Sequence, residues 1–197
     1  MAGEIDWTPV VHSLAATNWT AVFVAVVSGI AAVVGPFWLW KKQAKKESAS
    51  VRASLVAEVA ALIEIVDLRG FLAGLREGEA TLMARQRTSI RSFQGNEGKE
   101  FFQVPIDSHY NRVYQGNVSR LGVLTEEDAK QIVRFYQITD GVRLDVIPGG
   151  VLAEGTTNPE AFKEAADLLE TAIEIGRALT TQKPKPSRNW LFLKIKK

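Results

Sequence analysis

The stretch "NWTAVFVAVVSGIAAVVGPFWLWKKQAKK", residues 18–46, decides how the rest of the chain is read. No Asp, Glu, Lys or Arg occurs between Trp7 and Trp40, and from Trp19 to Trp40 the sequence is almost wholly apolar. At 1.5 Å per residue that stretch extends roughly 33 Å as a helix, close to the ~30 Å hydrocarbon thickness of a bilayer. The length predicts a single transmembrane helix over 18–40, preceded by a short extracytoplasmic N-terminus at 1–17. The competing reading is the central helix of a globular fold. That needs apolar neighbours all round, and the rest of the chain offers only amphipathic segments.

The flanks point the same way. Trp19 at one end and Trp38 and Trp40 at the other sit where amphipathic rings favour the headgroup region. Lys41, Lys42, Lys45 and Lys46 follow at once as a basic juxtamembrane segment, 41–46. The positive-inside rule then expects the N-terminus outside and the remaining chain in the cytoplasm, at the inner membrane. A cleaved signal peptide fits poorly, because the apolar run starts late, lacks a basic leader and ends in lysines instead of small residues. Ala21, Ala25 and Gly29 recur every four residues, a spacing that lets helix backbones approach and predicts a homo-oligomer through the span.

The chain of 197 residues leaves one domain of ordinary size after this segment, expected over 47–182, with a basic amphipathic tail at 183–197. It has no Cys, so a disulfide framework and a thiolate metal site are excluded. The formal charge of +2 hides a segregation: setting aside the basic residues of 41–46 and 183–197 leaves 14 basic against 22 acidic residues. An acidic body lies between two basic ends.

That body reads as all-α, an antiparallel bundle of about four helices. The first is expected from about Glu47 to Arg87, with Leu55, Val59, Leu62 and Val66 on one face and the stripe resuming as Leu68, Leu72 and Leu75. Gly70, Gly74 and Gly78 recur every four residues, so the helix bends there or a neighbour comes close. Residues 89–98, "SIRSFQGNEG", read as a loop. Pro105 suits the first turn of a helix carrying Ile106, Tyr110, Val113 and Leu121 on one face, up to Gly122 as a cap. Thr125 is an N-cap with acids in the turn that follows, and the helix it opens carries apolar residues on more than one side. After the Gly-rich "IPGGVLAEGTT", Asn158 caps a last helix that begins at Pro159 and buries Phe162, Ala166, Leu169, Ile173 and Gly176.

The run "YNRVYQGNVSRLGVLTEEDAKQIVRFYQI", residues 110–138, resembles a pattern of uncharacterised bacterial membrane-anchored helical proteins, in which a helix ending in Leu-Gly-x-Leu precedes one containing Phe-Tyr. The resemblance implies no activity. Read physically, Leu121 and Leu124 bracket a tight connection, and Phe135 and Tyr136 pack beneath it.

A search for chemistry finds little. Asp107, His109 and Tyr110 fall short of a ligand set or a nucleophile with its base, and a solvated or locally bonded His109 is the expected state. Glu126, Glu127 and Asp128 point different ways around a helix and are explained by its dipole. The glycines of the 147–157 connection lack the Walker spacing. No catalytic, cofactor-binding or metal-binding residue is therefore assigned, no cofactor is expected, and the chain is read as a non-enzyme. In the tail, Trp190 and Phe192 lie among Lys194, Lys196 and Lys197. Docking on anionic lipid, completion of the core and nucleic-acid contact all compete there, with lipid favoured and nucleic acid least so. The expected function is a membrane-anchored adaptor or scaffold that self-associates and presents a protein-interaction bundle to a partner the sequence does not identify. The alternative is an effector of a mobile-element or defence type whose assembled spans perturb the bilayer.

Overall fold

The computed structural model describes the backbone of residues 19–92 and 98–181, and the side chains there except those of residues 19, 21–22, 30–34 and 89–92. The predicted N-terminal segment and the tail with Trp190, Phe192, Lys194, Lys196 and Lys197 lie outside these residues. Helices dominate: α1 (Trp19–Arg69), α2 (Phe71–Ser92), the short α3 (Arg112–Asn117) running into a 3-10 helix (Val118–Val123), α4 (Glu126–Val146) and α5 (Pro159–Thr181). Two compact units divide the chain, Met1–Lys46 and Glu47–Lys197.

In the first unit the structure corrects the sequence reading. Among the described residues no helix is long and apolar enough to cross a membrane. Charge follows on α1 from Lys41 onward. The single-pass inner-membrane placement of the chain, with its outside N-terminus, is withdrawn, and with it the effector that depended on assembled spans. Trp38, Trp40, Lys41, Lys42, Lys45 and Lys46 are all exposed on α1, as are Ala25 and Gly29. The side chains of Trp19 and Ala21 lie outside those described.

The second unit is a helical bundle. On α1 the ridge Val51, Leu55, Val59 and Ile63 is buried, each residue four after the last, while Leu62 and Val66 flank it. The expected continuation through Leu68 fails, and Leu68 is 79% exposed. Gly70 is the reason: its φ of 63° ends α1, which only a residue without Cβ adopts at little cost, and α2 restarts in a new register. Gly74 and Gly78 do the other job the spacing allowed. A Cβ at Gly74 would stand 2.6 Å from the Phe102 ring, and one at Gly78 would collide with Phe162. The same closeness recurs at Gly176 of α5, which faces Ile63, Val59 and Phe135.

Between α2 and α3 the chain departs from the predicted helix. Residues 101–107 are not helical, and Pro105 opens no helix. Glu100 and Thr156 exchange both backbone hydrogen bonds, Phe102 N–H donates to Leu152 O and Val104 N–H to Val146 O. Every second amide thus bonds to the last residue of α4 or the segment after it, and every second side chain, Phe102, Val104 and Ile106, turns inward. Gly122 has no left-handed φ and caps nothing; the 3-10 helix ends at an extended Leu124.

The caps of the last two helices match the sequence. Thr125 Oγ1 accepts from Asp128 N–H at 3.1 Å, and Asn158 Oδ1 accepts from Glu160 N–H at 3.1 Å. α5 packs against both α2 and α4 and buries Phe162, Ala166, Leu169, Ile173 and Gly176 as expected.

The two kinds of glycine separate experimentally. Gly176→Ala should cost about 1–3 kcal/mol by overpacking a closed contact. Gly70→Ala, which has open space around it, should cost about 1 kcal/mol through backbone conformation alone. Urea unfolding of each variant checks this. An enlarged side chain, Gly70→Leu, should add little to the second penalty, whereas Gly176→Leu should prevent folding.

Candidate functional site

Two features of the bundle concentrate polar groups where apolar ones would be expected. The first is built on Glu58. α3 begins at Arg112 with a cap residue, Asn111, whose side chain makes no capping bond. Its free amides are met from another helix: Glu58 Oε1 accepts from Val113 N–H at 2.8 Å and Oε2 from Tyr114 N–H at 2.9 Å. Tyr136 OH donates to the same Oε2 at 2.6 Å. Tyr114 stacks on Tyr136 with ring centroids 4.0 Å apart, and Phe135 meets Tyr136 edge-on. Burial pushes the Tyr136 phenol far above its ordinary range, and the bond to the Glu58 carboxylate adds to the shift. This cluster has every bond it needs, and its work is to lock α1, α3 and α4 together.

The second feature is a chamber of about 270 Å³ between α1, α2, the 102–110 segment, α4 and α5. Its walls are mainly apolar, from Leu62, Ile63 and Val66 on α1 to Val142 and Val146 on α4 and Ala172 on α5. Five polar side chains reach it: Arg69, Asp107, Tyr110, Thr139 and Arg143. Tyr110 OH donates to Asp140 Oδ1 at 2.7 Å and lies 3.2 Å from Thr139 Oγ1, and burial first, then Asp140, drive its phenol upward. Asp107 accepts His109 N–H at 2.8 Å and Ser108 OH at 3.2 Å, which holds its carboxyl below the usual range. Arg143 differs. Its guanidinium carbon lies 5.9 Å from the Tyr110 ring centroid, and its buried Nε has no hydrogen-bond partner among the described residues.

His109 is exposed, with its backbone amide fixed by Asp107 and its ring on no polar constellation. Glu126, Glu127 and Asp128 occupy the first turn of α4, where Asp128 also takes Arg52 Nε at 3.0 Å. Among the described residues no group of His, Asp and Glu has the arrangement to hold a metal ion. The sequence reading brought Asp107 and Tyr110 together but missed Arg143 and Thr139. Their spacing along α4, four residues apart on one turn of the helix, was the available signal. No protein family matches the chain, and neither does any curated protein or solved structure.

All three tyrosines of the chain, Tyr110, Tyr114 and Tyr136, are shifted upward, with burial the first cause in each. An unfolded tyrosine releases its proton near pH ~10. Above that pH the unfolded chain sheds protons that the native chain keeps, so stability falls as pH rises. Absorbance of phenolate in the native protein should therefore stay flat past pH ~10 and rise in one step with alkaline unfolding. A tyrosine that titrates normally in the folded chain would contradict the buried cluster. Glu58→Ala, which orphans two amides and a phenol, should cost about 3 kcal/mol in the same unfolding assay.

Proposed function

We propose that this chain is a self-associating helical adaptor, with the first half of α1 as its assembly surface and the bundle at 47–181 as its recognition domain. One observation carries the reading. Phe23, Val24, Val26, Val27, Phe37, Trp38, Leu39 and Trp40 are all solvent-exposed, reaching 70% at Phe23. Isolated exposed apolar residues need no explanation, but this many on one helix exceeds what monomeric proteins present to water. A second polypeptide is the cover we favour. Gly29 and Gly35 have open space around their Cα atoms, so another helix can approach at both positions. Trp and Phe on such a surface supply the large, rigid contact area that dominates protein interfaces.

The adaptor reading also agrees with the character of the bundle. Its Glu58 cluster is engaged in helix capping and cross-helix ties, and such groups hold a surface in shape. Under this reading Lys41, Lys42, Lys45 and Lys46 give the assembly region a positive collar for an acidic partner surface, while the body beyond it is acidic.

Light scattering on the purified chain should give a dimer or larger species across the micromolar range. Replacing Phe23, Val27 and Trp38 together by Gln should give a monomer whose bundle melts at an unchanged temperature. A wild-type chain that is monomeric at every concentration, or that becomes monomeric only by floating with lipid vesicles, overturns the proposal.

A further inference from the structure

We infer that the chamber between α1, α4 and α5 is a binding site for a single-chain apolar carboxylate of about ten carbons, with its head group on Arg143. The inference is independent of self-association and rests on volume, wall chemistry and charge.

Volume sets the size of the apolar part. An engineered apolar cavity of about 150 Å³ stays dry and admits benzene, a six-carbon ligand. At that ratio the 270 Å³ here holds about ten carbons. One medium chain fits, and the two long chains of a membrane lipid do not. The walls suit such a chain, since Leu62, Val66, Val142 and Ala172 offer it no hydrogen-bonding group.

Charge selects the head group. Among the polar side chains that reach the chamber, the carboxylates already have donors. Asp107 holds a hydroxyl and an amide, with Arg112 3.9 Å away, and Asp140 behind the wall holds the Tyr110 phenol. Tyr110 and Thr139 are engaged with each other, and Thr139 Oγ1 lies 3.0 Å from both Phe135 O and Tyr136 O. The cations are the groups left over. Arg143 makes no ion pair with any described residue, and its Nε is buried without an acceptor. A guanidinium on an apolar wall with no carboxylate partner is costly to desolvate unless an anion answers its charge. Arg69, exposed on the same lining, adds a second positive charge. A guanidinium presents paired N–H groups that match the two oxygens of a carboxylate. A neutral head such as an alcohol would leave that charge unanswered.

Calorimetry with decanoate and decanol, each below its aggregation threshold, tests the inference on the full chain. Decanoate should bind about tenfold or more tightly than decanol. Arg143→Met should remove that preference while leaving decanol affinity within about twofold, and Arg143→Lys should keep part of it. Ala172→Leu, which fills the chamber, should abolish binding of both. Equal affinities in the wild type would overturn the head-group assignment, as would a preference that survives Arg143→Met. Binding that persists in Ala172→Leu would overturn the location. Failure of both ligands to bind the wild type would overturn the site altogether and leave the chamber to a packed segment or a second protein.

Discussion

Glu58 is the constraint on which the bundle depends. A six-residue helix such as α3 is too short to be stable alone, because nucleation costs more than so few hydrogen bonds return. It exists here because a carboxylate on α1 answers the two amides at its start and at the same time accepts the phenol of Tyr136. That single group fixes three elements against one another. Tyr136, so held, presents its ring to Tyr114 on one side and Phe135 on the other, and Phe135 in turn reaches the bare backbone of Gly176. The path from a charged side chain to a close helix contact in the core is therefore continuous.

The helices themselves were legible because caps and periodicity act locally. Thr125 and Asn158 close their helices through their own hydroxyl and amide oxygens, and no distant residue is needed to make them do so. The α5 face from Phe162 to Gly176 follows from 3.6-residue spacing alone. The 101–107 segment failed for the opposite reason. Its alternation, Phe102, Val104, Ile106, was written in the sequence, but a proline near the expected start of a helix outweighed it. The partner that makes the segment extended lies some 50 residues away, at Val146 to Thr156. The glycines around the start of α2 show a third case. A Gly every fourth position has two physical uses, a left-handed stop and a close approach, and only the neighbours decide between them. Gly70 has none and stops the helix, whereas Gly74 and Gly78 face Phe102 and Phe162.

The apolar stretch before Lys41 was read from composition, and composition does not specify a solvent. Hydrophobic side chains in a row state only that something apolar must cover them. Length then turned that demand into a bilayer reading, whereas among the described residues no helix is long and apolar enough to cross a membrane. The same caution applies within the bundle, where apolar lining surrounds a volume the chain leaves open. The core closes tightly at Gly78 and Gly176, so the open space is not a sign of loose packing in general.

The arginines make that last point sharper. Arg52 joins Asp128, Arg76 joins Asp167 and Glu170, Arg85 joins Glu100, Arg120 joins Glu47 and Arg177 joins Asp67. Each pair ties together segments distant in sequence, and Arg76, bonded by Asp167, Glu170 and Glu79, is pushed further above its already high range. Apart from the more buried Arg52–Asp128 pair, exposed pairs of this kind add little stability individually, so their value is in register more than in energy. Arg143 has no ion pair with a described residue, and it lies on the wall of the open chamber. A cation could have been avoided on that wall by any apolar residue of similar length, at lower desolvation cost. Its presence beside an apolar volume, with the nearby carboxylates already engaged, is the arrangement expected of a group whose partner comes from outside the chain.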